Sequence, residues 1–217
     1  MSIWYGEKTH INVETGLEEL RREHEAADRR LYLYGSILSE GNEDKTTYDD
    51  VSMTTRLAEQ IINFNRVDAE NEVDLADRKP IRLYINSPGG EVTEGFALVS
   101  AIELSQTPVW TINVGEWCSM AFLIGITGHR RLSMPNMMFL MHEGTSFAGG
   151  SVGKMQDRAK FDERFQEEVI KRHVLNHSKM DSHTYDATER VELYMLPEDA
   201  LKYGFIDEIV TDISAIF

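Results

Sequence analysis

Three apolar runs constrain this chain more than anything else in it: Ile81-Arg82-Leu83-Tyr84-Ile85, Val109-Trp110-Thr111-Ile112-Asn113-Val114 and Met137-Met138-Phe139-Leu140-Met141. Each has strand-forming composition, and helix-length segments separate them. Strands that alternate with helices need crossover connections, so the expected architecture is α/β with mostly parallel strands. Each run also ends on residues suited to a tight turn or to chemistry: Asn86-Ser87-Pro88-Gly89-Gly90, Gly115 to Ser119, and His142.

The remaining chain continues the alternation. Leu31-Tyr32-Leu33-Tyr34 is a β-type run stopped by Gly35. Tyr48 to Asn65 has helical spacing, with Val51, Leu57, Ile61 and Ile62 broadly on one side. Residues 65–79 carry Asp68, Glu70, Glu72 and Asp74 and read as an exposed loop. Thr93 to Ser105 reads as a helix with Phe96, Ala97, Val99, Ala101, Ile102 and Leu104 inside, and a buried helix is expected from Ala121. Leu132 to Met134 is a short strand. Gly153 to His177 is a long charged helix with Phe161, Phe165, Val169 and Ile170 as its stripe, followed by a polar stretch over 178–192. Pro197 to Tyr203 is a compact helix with Pro and acids in its first turn and Gly204 after its end, and 205–210 reads as a closing strand. Residues 1–29 form an N-terminal segment. Gly16 to Arg30 has a helical pattern there, and the first dozen residues lack a period and are expected to be mobile or held only in an assembly. The domain proper is expected over 30–217.

The length of 217 residues suits one domain with appendages. A net charge of -15 argues against a general nucleic-acid binder and against docking on an acidic membrane surface. Cys118 is the single cysteine, which excludes an intrachain disulfide and a Cys-based zinc site. Without a signal-like, transit-like or membrane-length segment, the expected location is the cytoplasm. No cofactor or metal is expected. His173 and His177 share a helix face at i, i+4, but no further ligand accompanies them in the sequence, so they read as solvated helix surface. Gly149-Gly150-Ser151-Val152-Gly153 lacks the Lys-Ser/Thr pair of a phosphate-binding loop.

Ser119, His142 and the Asn86 to Gly90 turn all follow strands. In open α/β sheets sites form at the C-terminal ends of strands, so the three can reach one cleft. Hydrolysis by serine needs a base, a group that orients the base, and N–H donors for the oxyanion. His142 can be the base, and Gly90 and Met120 can offer backbone N–H groups. Taken singly, the same residues read as a helix cap, a structural histidine and a turn.

Together, Leu83 to Gly90, Gly115-x-x-x-Ser119-Met120, Leu140-Met141-His142 and Pro197-x-x-Ala200-x-x-Tyr203-Gly204-x-Ile206-Asp207 resemble the proteolytic subunits of the Clp protease, the ClpP family, over about residues 30–210. The resemblance implies an α/β, ClpP/crotonase-like fold of repeated ββα units with a protruding strand–helix handle at about 143–177. It implies a serine endopeptidase with Ser119 as nucleophile, His142 as general base, Gly90 and Met120 as the oxyanion hole, and Gly89, Gly144 and Thr145 binding substrate. It further implies polypeptide substrates, a homo-oligomer of stacked seven-membered rings with an interior chamber, and a Clp-class AAA+ unfoldase as partner.

The chain departs from the family pattern in several places. Counting back from the 197–204 helix puts Glu192 where the family carries the aspartate of its triad, with Asp186 and Glu189 as nearby substitutes. Cys118 stands where a small residue is usual and is an alternative nucleophile, although a buried small hydrophobe reads better. Trp117 and Ala121, also unusual beside the serine, imply either a reshaped specificity pocket or altered packing. The 65–79 loop looks lengthened, the Gly128 to Arg131 turn shortened, and the N-terminal segment is unlike an axial loop. Alternative readings are a phage-type head-maturation protease of the same fold, a weakly active structural paralogue in mixed rings, and a crotonase-type acyl-CoA enzyme.

Overall fold

A computed structural model describes residues 2–5, 9–12, 28–38, 51–145, 149–188 and 191–217. Its centre is a seven-stranded sheet in which β3 (Arg30–Tyr34), β4 (Ile81–Ser87), β5 (Val109–Cys118), β6 (Arg130–Ser133) and β9 (Glu208–Ile209) lie side by side, all parallel. β7 (Met138–Met141) pairs parallel with the far half of β5, and β8 (Leu193–Met195) runs antiparallel to β7. Ahead of this sheet, β1 (Ser2–Tyr5) and β2 (Thr9–Asn12) pair antiparallel as a separate two-stranded sheet, so backbone pairing occurs where the sequence shows no period. The helix expected over 16–30 lies outside the described residues, except that Asp28 and Arg29 form a turn and Arg30 begins β3.

The long β5 strand organises the site. Its first half pairs with β4 and β6, and its second half, Glu116–Cys118, pairs with Met138–Leu140 of β7. Residues 115–118 are thus strand, where the sequence suggested a turn. Buried Asn113 bridges the change of partner: its Nδ2 donates to Met138 O at 3.1 Å and its Oδ1 accepts from Gly115 N at 3.0 Å. Gly115 is required there, because a Cβ would meet Asn86 Oδ1 at 2.1 Å.

Helices α1 (Met53–Glu70), α2 (Val92–Glu103) and α3 (Met120–Ile126) follow β3, β4 and β5. Ser52 caps α1 by accepting from Thr55 N. Every residue of α3 is buried, as its unbroken apolar sequence dictates. In α2 the core positions are Gly95, Leu98, Val99 and Ile102, while Ala97 and Leu104 face solvent, contrary to their expected burial. The long helix expected over 153–177 is interrupted: α4 (Val152–Phe165) leads through a π-helical turn at Gln166–Lys171 into α5 (Arg172–Asn176). α4 buries none of its residues, and Phe161 of the expected stripe is exposed. The polar stretch after it contains a further helix, α6 (Ser182–Thr188), and α7 (Pro197–Tyr203) ends on left-handed Gly204 as its sequence requires. Only Glu208–Ile209 of the closing run pairs as strand.

The acidic 65–79 segment is not simply an exposed loop. α1 continues to Glu70, and Asp68 is buried, bonded by both terminal guanidinium nitrogens of Arg29 and by Thr107 Oγ1 at 2.7 Å. The Arg29 hydrogen bond, against the opposing pull of burial, holds the Asp68 carboxyl below its ordinary range. A depressed folded-state value means that the stability contributed is complete above the ordinary carboxylate range and is lost as pH falls through the folded value. We therefore expect Asp68→Asn to lower stability at neutral pH by on the order of 2 kcal/mol. The deficit should shrink on acidification below the carboxylate range, as measured by urea unfolding at several pH values.

Candidate active site

Ser119 joins β5 to α3 in a backbone conformation with φ 54° and ψ -124°. A residue with a Cβ enters this region only when its surroundings hold it there, at about 1–3 kcal/mol of strain. The restraints are visible. Ser119 N donates to Leu140 O at 2.9 Å, and Ser119 O accepts from Phe122 N at 3.0 Å. Cys118 and Met120 on either side are buried, whereas Ser119 is only half-buried. The sharp turn thus locks the two neighbours in the core and turns the serine toward a cleft.

His142 follows the last residue of β7, two positions after the carbonyl that holds Ser119. Its Nε2 is buried and has no hydrogen-bond partner among the described residues. Ser119, Met120, His142 and Gly144 line one cleft, walled by Val92, Phe122, Leu123, Met141, Ile170, Val174 and Tyr185. Most of that wall is apolar. Tyr185 and Ile170, which the sequence did not single out for the site, arrive there from α6 and the π-helical turn, and Gln166 Nε2 bonds Tyr185 Oη at 2.9 Å.

The two glycines after β4 pack the other side of the turn. At Gly89 (φ 92°) a Cβ would lie 2.6 Å from Cys118 O and 2.8 Å from Ser119 Cβ. Its N–H donates to Ser87 Oγ at 3.1 Å and its carbonyl accepts from Ile37 N at 2.8 Å, so its backbone serves the fold. Gly90 (φ 146°) forms a parallel bridge with Ile37, where a Cβ would approach the Ile37 carbonyl oxygen to 1.9 Å. The bridge uses Gly89 O and Glu91 N, which leaves the N–H of Gly90 pointing away from Ile37.

Cleft, strained serine and glycine turn all fall inside the span that a family model described as Clp protease matches, residues 50–212. The chain belongs to the Clp protease family. The match runs from α1 past β9 and leaves β1, β2 and β3 outside it, and the mixed α/β architecture is that of a ClpP-like fold. Among the described residues, no helix is long and apolar enough to cross a membrane.

Three acidic residues stand as candidates for a group beside His142 in this Clp protease family chain. β8 pairs with β7 in the register Met141↔Leu193, and Glu192 and His142 are the next residues beyond that last pair. The Glu192 side chain is exposed, and its Oε2 accepts from Tyr194 Oη at 2.9 Å. That bond pushes the Tyr194 phenol above its ordinary range. Asp186 pairs with Lys171 Nζ at 2.6 Å, and no hydrogen bond joins it to His142. Glu189 lies outside the described residues. Thr145 is exposed beyond Gly144.

Cys118 is buried, and its thiol is pushed up to about 12 by burial and by the adjacent Glu116 carboxylate, which it meets at 3.5 Å. A thiol so disposed stays protonated at neutral pH and is inert as a nucleophile. Trp117 is fully buried, with its ring edge-to-face with Phe139 at 5.4 Å and over Gly125, where a Cβ would meet it at 2.4 Å. Of the two readings of Trp117, altered packing is the one realised, since it faces the core and not the cleft.

Proposed function

We propose that this chain is a Clp-type serine endopeptidase acting through an acyl-enzyme on Ser119. The observation that carries the reading is the strained Ser119 turn opening into the same cleft as the unpartnered Nε2 of His142. Ser119 Oγ attacks the scissile carbonyl while His142 Nε2 takes its proton. The N–H groups of Gly90 and Met120 stabilise the oxyanion. His142 then gives the proton to the leaving amine, and a water repeats the sequence to release the acid. The apolar wall suits an apolar substrate side chain beside the scissile bond, and the exposed backbone after β7, at Gly144 and Thr145, suits pairing with an extended peptide. Peptide substrates differing only at that side chain test this: Leu, Met or Phe should be cleaved well and Asp poorly, and the reverse order would refute the cleft assignment.

Glu192 is the acid in this reading, supported by its place next to the Met141↔Leu193 pair, which His142 also adjoins. Reaching the imidazole requires it to leave Tyr194. Glu192→Gln should therefore lower kcat at least about tenfold, whereas Tyr194→Phe, which frees the carboxylate, should leave kcat equal or higher. A Tyr194→Phe variant as impaired as Glu192→Gln would show that the phenol itself is needed.

Assembly into stacked seven-membered rings, with an AAA+ unfoldase of the Clp class supplying chains, completes the proposal. It is supported by the handle, whose α4 exposes the apolar side chains of Val152, Met155 and Phe161.

A further inference from the structure

His173 and His177 acquire in the fold a third neighbour that lies far away in sequence. Glu103, the last residue of α2, places Oε1 at 3.3 Å from His173 Nδ1 and 3.7 Å from His177 Nε2. The three groups present one ligand atom each, all within 4.8 Å of one another.

The opposite nitrogen of each ring fixes its tautomer. His173 Nε2 lies 3.1 Å from the carbonyl oxygen of Leu123, which can only accept, so that nitrogen carries the hydrogen. Thr127 Oγ1 also lies 3.2 Å from Nε2 and donates its own proton to the same carbonyl at 2.7 Å. His177 Nδ1 likewise donates to His173 O at 2.9 Å. In the neutral rings, the lone pairs of His173 Nδ1 and His177 Nε2 both face the Glu103 carboxylate, which is itself an acceptor. Three acceptors converge with no donor among them. A proton would satisfy one pair of them, whereas a divalent cation satisfies all three.

We propose that Glu103, His173 and His177 form a divalent-metal site of the zinc class that ties α2 to α5. Two imidazoles and one carboxylate are a zinc-type ligand set, and backbone carbonyls on the distal ring nitrogens are the outer-shell partners that orient metal-binding histidines. Bonds of about 2.0–2.1 Å at tetrahedral angles put ligand atoms about 3.3–3.4 Å apart, and Glu103 Oε1 lies close to that from both ring nitrogens, at 3.3 Å and 3.7 Å. Glu103 is 44% exposed and His177 23%, which leaves a solvent-facing fourth position for water. His173 is buried against the edge of Phe96 at 5.9 Å, so the site has one anchored wall. The consequence reaches the cleft. Leu123, which receives His173, and Val174, beside it, both line the cavity at Ser119. Metal at this site stiffens that wall without touching the reacting atoms.

The test uses the full chain, stripped with chelator and titrated with Co(II). One equivalent should bind with visible d–d absorption of four-coordinate intensity, be displaced by Zn(II), and raise the thermal midpoint. Glu103→Gln and His177→Gln, both at partly exposed positions, should each weaken Co(II) binding at least about tenfold. The proposal is overturned if the wild-type chain shows neither absorption nor a thermal shift at excess metal, or if both survive unchanged in the two variants. Neither result depends on Ser119 or on peptidase activity.

Discussion

Replacing Ser119 with alanine is expected to reduce peptide hydrolysis by on the order of 10⁴-fold or more, with the protein still folded. The residual rate would come from substrate binding and the oxyanion donors, which Ser119→Ala leaves in place. The same position carries a second expected effect of opposite sign. Ser119 holds φ 54° while carrying a Cβ, restrained by Leu140 O on one side and the first turn of α3 on the other. Glycine adopts that region without the steric penalty, so Ser119→Gly should be inactive yet more stable than Ser119→Ala by about 1 kcal/mol. Chemical denaturation of the two variants, set beside their hydrolysis rates, measures both effects. A glycine variant no more stable than the alanine variant would mean that the turn stores no strain.

Gly90→Ala is expected to damage both stability and activity. Its Cβ would sit 1.9 Å from the Ile37 carbonyl oxygen, a backbone atom that no rotamer change moves aside. The bridge to Ile37 must open, which moves the Gly90 N–H that the proposed mechanism uses as an oxyanion donor. We expect a stability loss of about 3 kcal/mol and a fall in kcat of about 10²–10³-fold, the range for losing one oxyanion donor. Gly144→Ala is the control, because nothing lies within 4 Å of its added Cβ. It should leave the unfolding midpoint unchanged. Equal stability of the Gly90→Ala and Gly144→Ala chains would contradict the packing described.

What could be read in advance followed from local rules. The apolar runs at 81–85 and 109–114 lie within β4 and β5, and Gly89, Gly90 and Ser119 follow the strand ends, where an α/β sheet places its cleft. What could not be read depended on partners remote in sequence. Asp68 looked like one more surface acid because Arg29 and Thr107, which bury it, are 39 residues away on either side. Residues 115–118 looked like a turn because their pairing with β7 needs Asn113 and Asn86 to fill the space that Gly115 leaves. The positive φ of Ser119 has no signature in its own side chain. Counting back from the 197–203 helix points to Glu192, but nothing in the sequence points to Tyr194, which bonds its carboxylate, because residues 193–195 carry no strand signal of their own. His173 and His177 share a helix face as their spacing predicts, but the solvated surface expected there is not what the fold makes: His173 is buried, and Glu103, remote in sequence, meets both rings.

The central claim, that Ser119 is the nucleophile, is tested most directly by reacting the assembled protein with a fluorophosphonate probe and mapping the adduct by peptide mass spectrometry. The account predicts a single stoichiometric adduct on the peptide containing Ser119, absent from Ser119→Ala, with loss of hydrolysis in proportion to labelling. Hydrolysis by a chain whose Ser119 stays unlabelled, or labelling that persists in Ser119→Ala, would contradict it.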